Sequence, residues 1–234
     1  MTRRGRLQAT VVAAAMVVGC ATFAGEARAT VSQVSPTSAH GVIGPDPLAQ
    51  VAAEALDAWN SYIEVGAWTS QPTTVQMAIL ADFVRLRDQV AAEAATQLGI
   101  DPLRMQAAWI AADRMHQLAV LAAFTQLGVP YGHFARIVGV GFDCSGITSW
   151  AWEQAGFEIP RGAKWQIQSA GEVTPETAQA GDLLFYPTHV MMYLGVDLAI
   201  ILSPNRKSTV HLSNVWKRKV PKLQWGDPLG RGNG

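Results

Sequence analysis

The sequence predicts an α+β fold, in which a helical region precedes a domain whose cysteine-bearing helix packs on an antiparallel sheet. Three observations predict it. Two Asp-Pro pairs and a Thr-x-x-Gln box open apolar-periodic stretches between residues 46 and 127. Gly141-Phe142-Asp143-Cys144-Ser145-Gly146 places a thiol at the start of a further helix that stops at Gly156. From Leu183 onward, short apolar runs separated by turns of a few residues read as a meander.

Residues 1–29 read as an export signal. Arg3, Arg4 and Arg6 form its charged part, and Val11 to Val18 an apolar part too short to span a bilayer. Two processing sites compete. Ala27-Arg28-Ala29 fits cleavage before Thr30, whereas Val17-Val18-Gly19-Cys20 resembles a lipobox in which Cys20 is acylated. Residues 30–45 are rich in Ser, Thr, Pro and Gly and read as a flexible tether.

Residues 46–117 form the helical region. Asp46-Pro47 sets an N-cap and a first-turn proline, and the helix runs to about Ile63. Thr73-Thr74-Val75-Gln76 starts a second, with Ile79, Phe83, Leu86, Val90 and Ala94 on one stripe. Asp101-Pro102 starts a third, expected to run unbroken to Leu127-Gly128. His116 lies on its apolar side and reads as a hydrogen-bonded core residue.

Residues 118–234 form the second domain. Asp143 is the N-cap of the cysteine helix, which places Cys144 where free amides and the helix dipole favour a thiolate. Trp150 and Trp152, two apart, cannot share a face. A short helix is expected near Lys164 to Ala170. Strands follow at Leu183–Tyr186, His189–Leu194, Leu198–Leu202 and Val210–Val215. Lys217-Arg218-Lys219 and Lys222 read as the guards of a solvated strand edge.

Charge narrows the partners. The whole chain carries 18 bases and 18 acids. Removing the four arginines and one acid of residues 1–29 leaves 14 and 17, a net −3. Nothing here is basic enough for nucleic acid. The chain has two cysteines. Once Cys20 is removed or acylated, Cys144 is the lone thiol of an exported protein, with no disulfide partner. His189, 45 residues on, is a candidate base for it. A thiol and an imidazole on a helix and a neighbouring strand are the elements of papain-type acyl transfer. No motif calls for a metal or another cofactor.

The words around these two residues resemble the NlpC/p-sixty family of bacterial cell-wall cysteine peptidases. They run in order through Gln126 to Tyr131, Gly141 to Gly146, Ala155-Gly156, Ile159-Pro160-Arg161, Gln166, Ala180 to Phe185 and His189 to Gly195, over about residues 118–216. The resemblance implies a papain-like fold and cleavage of peptidoglycan stem peptides, usually between γ-linked D-glutamate and the following diamino acid. It implies Cys144 as nucleophile, His189 as base and Tyr131 beside the oxyanion site, which needs donors within about 3 Å of the developing charge. Asp143 and Ser145 would line the pocket for the free amino end of the stem peptide.

The sequence departs from the pattern at the third position. The family places a polar residue there to orient the base. Here the best match is Leu202, with Ser203 or Asn205 offered by a slip of register and His211 one strand further on. Gly132-His133-Phe134-Ala135 replaces the usual tryptophan-glycine-glycine run, which leaves His133 without a role. These departures motivate a rival reading, a wall-binding or regulatory protein with a degenerate site. A third reading keeps the thiol and transfers the acyl group to lipid or amine. The expected setting is the cell envelope, lipid-anchored through Cys20 or secreted.

Overall fold

A computed structural model describes residues 37–38, 41–66, 71–215 and 217–230. The export signal, both processing sites and Cys20 lie outside the described residues. Among the described residues no helix is long and apolar enough to cross a membrane.

A two-stranded pairing of β1 (Thr37–Ser38) with β2 (Gly41–Val42) precedes the helices. The tether expected through residue 45 ends earlier. Ile43 is buried, and the Gly44 amide donates to the Thr125 carbonyl at 2.7 Å. A Cβ at Gly44 would stand 2.1 Å from the Leu127 oxygen, so only glycine allows this approach.

Helix α1 (Pro47–Glu64) starts at Asp46, whose carboxylate accepts the Leu48 amide at 2.8 Å. Helix α2 (Thr74–Leu98) starts with the full capping box. Thr73 accepts from the Gln76 amide, Gln76 accepts from the Thr73 amide, and Gly99 closes the far end at φ 69°. The third helix is broken. α3 (Pro102–Ala111) ends at Ala112, which is extended, and α4 (Arg114–Phe124) starts anew. One distant and one local partner hold the break: the Asp113 amide donates to Gln179 Oε1, and Gln117 Nε2 donates to the Ala112 carbonyl.

The hairpin of β3 (Arg136–Ile137) and β4 (Gly141–Phe142) delivers the chain to α5 (Cys144–Gln154), followed by α6 (Ala163–Ser169). The sheet has six antiparallel strands. They are β5 (Gly171–Glu172), β6 (Leu183–Tyr186), β7 (His189–Tyr193), β8 (Ala199–Leu202), β9 (His211–Asn214) and β10 (Gln224–Asp227). Their order is β5-β10-β6-β7-β8-β9. The four expected strands correspond to β6, β7, β8 and β9, which run to one edge of the sheet; β5 and β10, at the other end, are not among those expected. Lys217–Lys222 is a 3-10 helix, not a strand edge, and Lys219 lies over the Tyr186 ring at 4.8 Å.

Period-two alternation sorts the sheet's side chains. Leu183, Phe185, Val190 and Met192 join the clusters packed on α5 and α6, whereas Leu184, Met191, Tyr193, Ile200 and Leu202 form the opposite cluster. Both tryptophans of α5 are buried, because the helix lies between two layers. Trp150 packs on Phe142 at 5.5 Å, and Trp152 meets the His116 ring edge-on at 4.8 Å. The boundary expected at residues 117/118 falls inside α4. One apolar cluster runs without interruption from α1 through α5 into β7 and β8.

Candidate active site

Local sequence builds the nucleophile's seat. The Asp143 carboxylate caps α5 by accepting the Gly146 amide at 2.6 Å. Its own amide donates to the Ala135 carbonyl at 3.1 Å, which pins the preceding loop. A Cβ at Gly146 would stand 2.3 Å from that same Ala135 oxygen, so the Cys-Ser-Gly order is steric as well as chemical. Cys144 is the first residue of the helix and half-buried. It packs with Ile159, Ala163 and Ile167 against Leu183, Phe185 and Val190.

This setting opposes the thiolate that the helix start favours. Burial pushes the thiol pKa up, and the Val190, Ser145 and Cys144 amides only partly offset it, while Asp143 adds to the rise. The apolar wall favours the neutral thiol against the pull of the helix N-terminus. His189 begins β7, and the sulfur lies against the amide of the next residue, Val190. Burial lowers the His189 pKa to about 4, with the Lys219 ammonium pushing the same way and Asp143 opposing. His189 Nε2 is buried and has no hydrogen-bond partner, and among the described residues no hydrogen bond joins the ring to Cys144. Cys144 thus sits with Val190 on the α5 face of the sheet, whereas His189, one residue earlier on β7, lines a cavity with Met191 and Leu202 of the opposite face, as a neutral imidazole. Such a base can take a proton as the sulfur attacks, and catalytic hydrogen bonds often tighten only on substrate binding.

Tyr131 bridges to Phe142, immediately before Asp143. Its phenol pKa is raised by burial, then by Asp143 and Cys144, with Arg206 opposing, so it keeps its proton for donation. Asp143 and Ser145 are joined by Arg161, which stood in the sequence motif without being read as a site residue. Arg161 Nη1 donates to Ser145 Oγ at 2.7 Å and lies 2.9 Å from Asp143 Oδ1. Its Nη2 donates to Asp143 Oδ2 at 3.0 Å and to the Ala135 carbonyl at 2.9 Å. Ser145 Oγ in turn donates to Asp143 Oδ1 at 3.2 Å. Gln166 ties α6 to this corner, accepting from Thr148 Oγ1 and donating to the Ser145 carbonyl.

The third position resolves differently from its sequence alternatives. Ser203 Oγ donates to the Phe142 carbonyl at 2.7 Å and is fully buried, so it anchors the nucleophile loop and does not orient the base. Leu202 is buried and pairs directly with His211 across β8 and β9. Leu202, His211 and Asn205 all line one cavity of about 490 Å³ with His189. His133 stacks on the exposed Phe134 at 4.1 Å, on the loop surface.

Three buried donors lie elsewhere. His116 Nε2 stands 3.0 Å from Asp182 Oδ1 and 3.2 Å from Asp227 Oδ1, and the three donor atoms fall within 4.8 Å of one another. Gln179 and Leu229 amides hold the two carboxylates. The His116 Nε2 edge faces both acids, while its Nδ1 is buried with no hydrogen-bond partner.

Residues 128–225 match the model of the NlpC/P60 family. The match covers less than half of the chain. A probable endopeptidase of Corynebacterium glutamicum is 45% identical over 82 residues, 34% of this chain and 39% of its own length. The gamma-D-glutamyl-L-lysine dipeptidyl-peptidase of Bacillus cereus is 37% identical over 94 residues, 37% of this chain and 28% of its own. A solved structure, RipD from Mycobacterium tuberculosis, is described as a non-catalytic NlpC/p60 domain protein adapted to peptidoglycan binding. It is 23% identical, with a TM-score of 0.40, over 49% of this chain and 98% of that one. The chain spans less than two fifths of the length of these curated relatives. The matched segment contains Tyr131, Cys144 and His189, and it begins after α4, so the helical region lies outside it.

Proposed function

We propose that this protein is an exported peptidoglycan endopeptidase that hydrolyses a stem-peptide bond, between γ-linked D-glutamate and the diamino acid that follows. The observation that carries this reading is the half-buried Cys144 at the head of α5, its sulfur against the amide that follows His189. The names of relatives cleaving γ-D-glutamyl bonds support the substrate class.

The residues then have distinct tasks. His189 takes the thiol proton as Cys144 Sγ attacks the scissile carbonyl carbon. The Tyr131 hydroxyl and the Cys144 amide donate to the oxygen that becomes negative. Collapse breaks the C–N bond, and the His189 proton goes to the leaving amine. Water, deprotonated by His189, then cleaves the thioester and restores the thiol. Asp143, Ser145 and Arg161 bound the pocket for the free amino end of the stem peptide. Residues 1–29 direct export, and Cys20 is the lipidation candidate; labelling with a tagged fatty acid, with Cys20→Ala as control, tests the anchor.

The deciding experiment incubates the purified protein with a stem tri- or tetrapeptide and follows products by mass spectrometry. New amino and carboxyl ends are expected from wild type and none from Cys144→Ala; equal cleavage by both would refute the proposal. A wall-binding protein without turnover is the second reading, favoured by the apolar Leu202 and the unpartnered His189 Nε2. Retention on wall fragments with no cleavage selects it.

A further inference from the structure

We infer that His211 is the positioning residue for His189, standing in for the polar group that Leu202 does not supply. The inference rests on the proposal that His189 is the base.

Three observations converge. First, His189 Nε2 is buried with no hydrogen-bond partner. An orphaned ring nitrogen in the interior is uncommon and costs free energy, so a missing neighbour is implied. Second, the residue where an orienting group is expected, Leu202, has no hydrogen-bonding atom in its side chain. Third, His211 is the direct ladder partner of Leu202. Opposite residues on antiparallel strands project on the same face with Cβ atoms about 5 Å apart. His189 on β7, Leu202 on β8 and His211 on β9 therefore share that face, and all three line the same cavity of about 490 Å³.

Four other polar residues of that cavity are poorer candidates. Asn205 Oδ1 already accepts the Lys207 amide at 3.0 Å. Tyr186, opposite His189, presents its ring under the Lys219 ammonium. Ser213 Oγ donates to the Asn214 carbonyl. Lys219 is a cation and cannot accept. No carboxylate lines the cavity. His211 is also prepared as an acceptor. Its Nδ1 lies 2.7 Å from the Thr209 carbonyl, which can only accept, so Nδ1 carries the proton and Nε2 keeps a lone pair. That lone pair is the strongest neutral acceptor among these side chains. The cavity gives room for the ring to turn toward His189 past Leu202, or for one water to bridge the two imidazoles. Either contact selects one tautomer of His189 and so presents the other nitrogen to the thiol proton.

The experiment pairs His211→Ala, His211→Asn and Leu202→His, alone and combined, with circular dichroism confirming folding. For His211→Ala, stem-peptide kcat is expected to fall about 10- to 100-fold with KM nearly unchanged, the size seen when outer-shell partners of a histidine are removed. His211→Asn should recover part of the loss. Leu202→His should restore kcat in the His211→Ala background, because it returns an acceptor to the strand beside His189. A readout independent of turnover is the ¹⁵N spectrum of the His189 ring, assigned with His189→Gln. One tautomer is expected in wild type and a mixture in His211→Ala. A folded His211→Ala protein with unchanged kcat and an unchanged tautomer overturns the inference. If wild type cleaves nothing, the proposed function fails, and the ring spectrum still decides whether His211 holds His189.

Discussion

At the scale of single residues, the protonation of the two reacting groups follows from what surrounds them, not from where they stand in the chain. Cys144 occupies a helix N-terminus, a position that favours a thiolate, yet its apolar neighbours raise its pKa. Alkylation of Cys144 is therefore expected to stay slow at neutral pH and to accelerate only above the range of an ordinary cysteine. Iodoacetamide rates from pH 5 to 10 check this, and a plateau reached below neutral pH would contradict it. His189 is held at about 4 by burial first and by the Lys219 charge second. Lys219→Met removes a repelling cation, so the His189 pKa is expected to rise toward 6.5 without reaching it, since burial remains. An NMR titration of the ring reads the shift directly.

Among the elements, the turn into α5 concentrates the constraint. Asp143 caps the helix, pins Ala135 and binds Arg161, and Gly146 lets the Ala135 carbonyl approach. Gly146→Ala would force that carbonyl away, with an expected cost of about 1–3 kcal/mol, the usual price of overpacking. Urea unfolding should show a lower midpoint with an unchanged slope. The Asp143 cap was open to sequence reading, because a cap and its helix lie within a few residues of each other; the Ala135 and Arg161 contacts, which span longer stretches of chain, were not. Nor was the break between α3 and α4. Residues 102–127 have a continuous helical pattern, and the interruption at Ala112 depends on Gln179, 66 residues from the Asp113 amide that it accepts. Strands β5 and β10 were hidden for a similar reason. β5 is two residues long and pairs only with β10, and β10 is held between β5 and β6.

Across the whole molecule, the buried cluster of His116, Asp182 and Asp227 joins α4 to the turn before β6 and to β10. It fastens the helical region to the sheet that carries His189. Burial alone would lower the His116 pKa, but Asp182 and Asp227 outweigh it and raise the value. Burial also raises Asp182, against the opposing pull of His116 and the Gln179 amide. Both groups hold protons more tightly folded than unfolded. The His116 contribution is complete below its unfolded pKa of about 6.5 and is lost as pH rises through the higher folded value. Thermal unfolding is expected to show Tm falling from pH 6 toward pH 9, and His116→Gln should flatten that slope. Removing the imidazole leaves two carboxylates facing each other, so His116→Ala should cost about 3–5 kcal/mol at neutral pH. A variant of unchanged Tm would show that the cluster contributes little.

The sequence by itself determined the starts of α1, α2 and α3, the cysteine helix, the strands β6 to β9 and the residues that resemble a wall peptidase. Each of these depends on neighbours a few positions apart, or on words that survive as words. It also indicated that His116 is a hydrogen-bonded core residue, since a titratable group on an apolar stripe needs a partner. Only the tertiary structure decided which acids that partner would be, that burial opposes the helix dipole at Cys144, that Ser203 is spent on Phe142, and that His211 stands across from Leu202. Those outcomes depend on dielectric surroundings and on strand register, which are set by residues far apart in the chain and brought together only by packing.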